Sequence, residues 1–214
     1  YEFARGSLVW IAFLVFILGS IYQVVSIIRL AKKDKVVYPY MSVKFGLRSI
    51  MHWIIPFANH NTRIQAPLTI VSFLFHFGLI VTPLFVMGHL VSLKESWGFS
   101  WLSLPEMWGN LMTIMVILLG IILAIRRVIN PTQRLISTLG DHLLLLLVLS
   151  PFITGLLAYY QIFDYTHIIT LHIWTGSLWL MAIPFTRISH MLFFPLTRAY
   201  MGSEFGFVRH SRDW

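Results

Sequence analysis

The chain has no cysteine. It therefore carries no disulfide, no thiolate metal site, no iron–sulfur cluster and no Cys-x-x-Cys-His attachment for a c-type haem. Charge is also scarce. Only 11% of the 214 residues are charged, where a soluble domain carries about a quarter. Carboxylates are nearly missing from the apolar runs, with Asp141 alone at the mouth of one, so an ion or proton transporter is the weaker expectation. No His-x-x-His-His or His-x-x-x-His box occurs, which argues against a membrane desaturase. The basic residues form no patch, so the net charge of +8 does not point to nucleic acid. The opening Tyr1-Glu2-Phe3 lacks a basic n-region and a small-residue cleavage site, and the first apolar run is expected to be a retained helix.

Apolar residues take the place of the missing charge. They make up 57% of the sequence, and the mean hydropathy is +0.77. A water-surrounded core of this length cannot absorb so much apolar surface, so lipid must. A bilayer crossing needs about 20 apolar residues. Five runs qualify, at 8–28, 67–92, 108–125, 139–160 and 167–194. Lys32-Lys33-Asp34-Lys35 closes the first, Pro67 opens the second and Asn130-Pro131 follows the third, each a helix boundary signal. Pro83, Pro151 and Pro184 fall inside three of the spans and predict kinks. With no internal repeat and no low-complexity tail, residues 1–214 read as a single domain. The expected class is all-α, an integral membrane bundle of five transmembrane helices.

Charge placement sets the expected orientation. All of the 16 Lys and Arg except Arg5 and Lys94 fall in the 29–66 stretch, in the connection after the third run or on the C-terminal side. With five spans these three segments share one side. By the positive-inside rule the N-terminus is then outside and the C-terminus cytoplasmic. The segment 36–66, rich in aromatics (Tyr38, Tyr40, Phe45, Trp53 and Phe57) with Lys44, Arg48 and Arg63, reads as an interfacial helix, a docking surface for a cytoplasmic subunit, or both.

Four histidines lie inside the spans, in two pairs. His76 and His89 share the second run, and His172 and His190 share the fifth. An imidazole in hydrocarbon is costly unless something binds it. Running from inside to outside, the second span presents His76 and then His89. The fifth runs the opposite way and presents His172 and then His190. The separations are about 20 Å and about 27 Å at 1.5 Å per residue, and tilt and kinks can absorb the difference. Antiparallel placement pairs His89 with His172 outside and His76 with His190 inside, as axial ligands to the iron of two stacked b-type haems. His172 and His190 share one helix face. His76 and His89 do not on a straight helix, and Pro83 between them is the expected correction. Hydrogen bonds to neighbouring helices, or a proton path, are the competing roles. Gly78, Gly88 and Gly176 offer room beside a flat macrocycle, though small residues also serve plain helix packing. Arg187, one turn before His190, is the expected partner of a haem propionate; the alternative is a snorkelling interface arginine. His167 is the substitute ligand for His172. Asp141 with His142 is either a helix-entry pair or a proton or quinone contact. His52, His60 and His210 are expected at the surface.

The fifth run, His172-Ile173-Trp174-Thr175-Gly176 followed by Ile183-Pro184-Phe185-Thr186-Arg187-Ile188-Ser189-His190, resembles the respiratory nitrate reductase gamma-subunit family of dihaem cytochromes b. Leu74-Phe75-His76-Phe77-Gly78 with Gly88-His89 is similar to that family's second helix. The spacing of the second span is longer than in the nitrate reductase subunit itself. In this, and in Tyr1-Glu2-Phe3 with Val9-Trp10-Ile11-Ala12-Phe13, the chain resembles the branch found in transmembrane redox complexes of sulfate-reducing bacteria, of the Tmc, Dsr and Hmc type. The resemblance implies bis-histidine haems in a multi-pass protein of a bacterial inner, or cytoplasmic, membrane. It also implies electron exchange between menaquinone or a periplasmic multihaem cytochrome c and a cytoplasmic iron–sulfur subunit resembling heterodisulfide reductase. Nitrate as acceptor does not follow from it.

The expected function is thus an electron-transfer subunit of an oxidoreductase complex. A variant of it dispenses with the quinone and conducts electrons directly from a periplasmic multihaem cytochrome c. Glu95, Glu106 and Asp164 against Lys94 give a mildly acidic outer face that suits a lysine-rich partner.

Overall fold

In a computed structural model, described over residues 1–213, the chain is helical, and no strand occurs among the described residues. A wide turn at Ala4–Leu8 leads into α1 (Val9–Ala31). Then come α2 (Val43–Ile54), the short α3 (His60–Ile64), α4 (Ala66–Phe85), α5 (Met87–Trp97), α6 (Glu106–Ile129), α7 (Pro131–Ile136), α8 (Leu139–Tyr159), α9 (Tyr165–Ala182) and α10 (His190–Ser203). Five stretches are long and apolar enough to cross a membrane: Ala4–Ala31, Ala66–Phe85, Glu106–Ile129, Leu139–Tyr159 and Tyr165–Phe185. Large apolar side chains stand exposed along them, including Leu18, Leu118 and Leu146, so these helices need lipid around them. The chain is a multi-pass membrane protein.

Two of the expected spans end early. The second was expected to run to 92 and stops at Phe85, because Val86 is extended (φ −67°, ψ 132°) and α5 begins anew. The fifth was expected to reach 194 and stops at Phe185. Pro184 tightens the last turn, and Thr186 is extended, its hydroxyl accepting the Ile188 amide at 3.3 Å. In both, the second histidine of the pair lies beyond a break.

The chain forms two compact units, Tyr1–Ser7 with Val71–Trp179, and Leu8–Ile70 with the residues from Leu180 onward. In the first unit, α6 packs through small residues. A Cβ on Gly78 of α4 would sit 2.6 Å from Val116, and one on Gly120 of α6 would sit 2.5 Å from Leu149 of α8. Gly78 therefore makes helix-to-helix contact rather than room for a macrocycle. Asp141 forms a capping box with Thr138 at the start of α8, so the helix-entry role accounts for it. Arg5 and Glu95 pair at 2.8 Å, bringing the N-terminal residues and the end of α5 together, as two crossings require. Gly98, at φ +77°, ends α5 in the left-handed conformation that glycine adopts without strain.

In the second unit, α2 is the helix expected within 36–66. It exposes Val43, Leu47, Met51 and Ile54 along one stripe, the face an interfacial helix lays into lipid. Its other face meets α10, where Gly46 abuts Ala199 and Gly202 abuts the Phe45 carbonyl. Buried Ser203 accepts from the Ser42 amide at 3.0 Å and donates to the Ala199 carbonyl at 2.8 Å. The tail returns to the same place, where Asp213 accepts a hydrogen bond from Ser49 and lies 3.9 Å from Arg198. Arg198 in turn stacks over Trp53 at 4.4 Å. Asp34, just after α1, accepts from the Tyr200 hydroxyl of α10.

Candidate functional site

Two of the four span histidines meet in the first unit. His89, in the first turn of α5, and His172, midway along α9, face each other with Nε2 atoms 3.5 Å apart. Their rings lie 5.8 Å between centroids and 22° from parallel. This is the outer pair expected from the sequence.

The break at Val86 brings His89 there. A helix end leaves its last four carbonyls without intrahelical partners, and at membrane depth each must be satisfied. Here all four are. Thr82 O accepts the Val86 amide at 3.0 Å, and Phe85 O accepts the Leu104 amide at 2.8 Å. Leu84 O accepts the Trp101 indole N–H at 2.8 Å. Pro83 O accepts from His89 Nδ1 at 2.7 Å. The histidine is thus a structural part of the break.

His172 is held from the neighbouring helix. Its Nδ1 donates to Pro151 O of α8 at 2.9 Å, with Thr154 Oγ1 at 3.3 Å. A Cβ on Gly155 would stand 3.0 Å from His172 Cε1 and 3.2 Å from Nδ1. No larger residue at 155 leaves the ring where it is.

These bonds fix the chemistry of the pair. An imidazole that donates through Nδ1 carries its lone pair on Nε2. Two such lone pairs face each other across 3.5 Å. A proton between them would require an imidazolium inside a membrane span. A Lewis acid between them resolves the clash. Two imidazole–metal bonds of about 2 Å each place the nitrogens about 4 Å apart, close to the separation seen. Each imidazole also has the second hydrogen bond that orients a metal-bound histidine. Beside the pair, a Cβ on Gly88 or Gly176 would meet nothing within 4 Å, so these two glycines do leave open space. Among the described residues no three His, Asp or Glu side chains cluster as a metal ion bound by protein alone would need.

The other two histidines lie in different units. His76, on α4, has Nδ1 at 2.7 Å from Ser72 O. His190, at the start of α10, has Nδ1 at 2.7 Å from Arg187 O. Such bonds to the preceding turn are local and do not mark a ligand by themselves, since His52 makes the same bond to Arg48 O at 2.8 Å. His190 and Arg187 border one open cavity of about 470 Å³ with Trp53, Ser189, Phe193 and Arg198. His167 is tied to Asp164 at 2.6 Å on the exposed start of α9. The nearby His167 N–H groups hold the Asp164 carboxyl below its ordinary value.

Sequence reasoning missed Gly155, Thr154 and the two proline carbonyls. Pro83 and Pro151 were read as kinks only. A glycine on one span and a histidine on another cannot be paired from one sequence.

The chain is 34% identical over 214 residues to a protein of Nitratidesulfovibrio vulgaris strain Hildenborough, named simply Protein, an alignment covering 98% of this chain and 95% of that one. No family model and no solved structure matches it.

Proposed function

The chain belongs to one family with that bacterial protein, and we propose that it is the dihaem b membrane subunit of a respiratory redox complex. In this reading it carries electrons across a bacterial inner membrane, between menaquinone or a periplasmic multihaem cytochrome c and a cytoplasmic iron–sulfur subunit resembling heterodisulfide reductase. The N-terminus is outside and the C-terminus cytoplasmic, as the lysine and arginine distribution implies. The observation that carries the proposal is the facing of His89 and His172, with both Nδ1 atoms committed to carbonyls and both Nε2 atoms turned to one point between them.

A bis-histidine b haem supplies a one-electron ferric–ferrous couple. The chain's own residues do the rest. His89 and His172 would hold the haem iron through Nε2, and Pro83 and Pro151 hold their tautomers. The apolar spans exclude water. His76 and His190 are proposed for the second haem on their sequence spacing, with Arg187 toward a propionate. With no cysteine of its own, the chain must pass electrons to clusters on a partner. The face of α2, α10 and the tail is the proposed dock for that subunit.

A visible spectrum of the purified chain tests this. The expected result is a reduced b-type band, about two haems per chain, and haem that acid–acetone extracts. A chain without haem, or with haem that stays on the polypeptide, overturns the proposal.

A further inference from the structure

We propose that Gly155 and Thr154 of α8 are positioning residues for His172, fixing the height and plane of its ring and the strength of its Nδ1 hydrogen bond, and so setting the redox potential of one of the two centres. The inference rests on the reading above and adds to it a residue pair that acts through His172.

The two facing imidazoles are held very differently. His89 is bonded within its own connection and is exposed. His172 is pressed against α8, where three features converge. The Pro151 carbonyl takes its Nδ1 proton at 2.9 Å. The Thr154 hydroxyl donates to Ser150 O at 2.8 Å, which leaves an oxygen lone pair to accept from Nδ1 at 3.3 Å. The bare Cα of Gly155 lets the ring edge come within what would be 3.0 Å of a side chain. Thr154 is itself buried, so no water competes for the contact. An Nδ1–H with a strong acceptor makes the imidazole a better electron donor to whatever Nε2 binds. Pushing the ring away from α8 lengthens that bond, weakens the donation and favours the reduced state.

The test uses the full-length protein in membranes, with Gly155→Ala, Thr154→Val and Thr154→Ser. Three quantities are read: the two midpoint potentials, the low-temperature electron paramagnetic resonance of the ferric state, and the rate of haem loss to an apoglobin. Gly155→Ala is expected to move one potential in the positive direction, to shift one low-spin signal and to speed loss of that haem about tenfold. Thr154→Val moves the same step the same way by less, and Thr154→Ser returns it. The second step stays put throughout. If Gly155→Ala fails to insert, the Thr154 pair decides alone. Unchanged potentials and signals in variants that hold haem overturn the positioning role and leave the haem reading standing. Both steps moving together also overturns it, as a general loosening. A native chain without haem removes the reading itself.

Discussion

Thr82-Pro83 and Ser150-Pro151 are the same device in sequence: a hydroxyl residue, then a proline, inside a membrane-length apolar run. Their outcomes differ. A proline orphans the carbonyl four residues back. At Pro151 that carbonyl is Leu147 O, and the Ser150 hydroxyl donates to it at 2.9 Å, so α8 runs on to Tyr159. At Pro83 the preceding hydroxyl makes no such bond: Thr82 Oγ1 is buried without a partner among the described residues. There α4 ends two residues later. The continuing helix lends a carbonyl to a histidine from elsewhere, and the ending helix lends one to a histidine of its own continuation. Each proline frees the carbonyl four residues back, and α8 runs on where a neighbouring hydroxyl covers that carbonyl.

The largest expected effect is loss of the ligands that the two prolines serve. His89→Ala and His172→Ala should each abolish the same one of two steps in a redox titration, while His76→Ala and His190→Ala abolish the other. If His89 and His172 variants lost different steps, the pairing would be wrong. Next comes the contrast between the prolines. Pro83→Ala restores an amide where the helix now stops, and should turn His89 away and weaken the haem it holds by about 10–100-fold. Pro151→Ala keeps the carbonyl that His172 needs and should leave haem content intact. Equal haem loss in both variants would erase the distinction.

A smaller effect separates the hydroxyls. Ser150→Ala leaves Leu147 O bare in a helix interior and should lower stability by about 1–3 kcal/mol. Thr82→Val removes a buried hydroxyl that bonds nothing and should be neutral or stabilising. Thermal unfolding in detergent reads both, and a loss at Thr82 equal to that at Ser150 would refute the account of the break.

The smallest effect lies outside the spans and serves as the control. The Tyr200 hydroxyl holds the Asp34 carboxyl below its ordinary 3.8, and the same bond, with burial adding to it, pushes the Tyr200 phenol up to about 12. A lowered carboxyl contributes stability that is present above 3.8 and lost as pH falls through the folded value. A raised phenol contributes stability that is present below 10.0 and lost as pH rises toward about 12. Tyr200→Phe should therefore lower Tm slightly at pH 7, and the difference should fade as pH falls below 3.8. A difference that persists unchanged in acid excludes the hydrogen bond as its source.

Apolar run length was enough to read five spans, because lipid demands little else of them. The four histidines stood out for the same reason, as costly groups in an apolar setting. The two breaks were not legible. Pro83 and Pro151 carry matching local signals, and the difference lies in whether one hydroxyl turns back to its own helix. The fifth span looked continuous to 194 because Arg187 and His190 suit a helix end that drifts into the interface, whereas Thr186 caps a new start. Gly155 was invisible because its role depends on a neighbour reached only by folding.

The carbonyls freed at the end of α4 are covered entirely by groups that come later in the chain: the Val86 amide, the His89 ring, the Trp101 indole and the Leu104 amide. During synthesis the second span, α4, cannot settle in hydrocarbon as an independent unit. Until the ribosome has delivered residue 104, two or more carbonyls at membrane depth face lipid unpaired. The second and third spans should then leave the insertion machinery together rather than one by one, and the connection between them is part of what makes the second span a membrane helix at all.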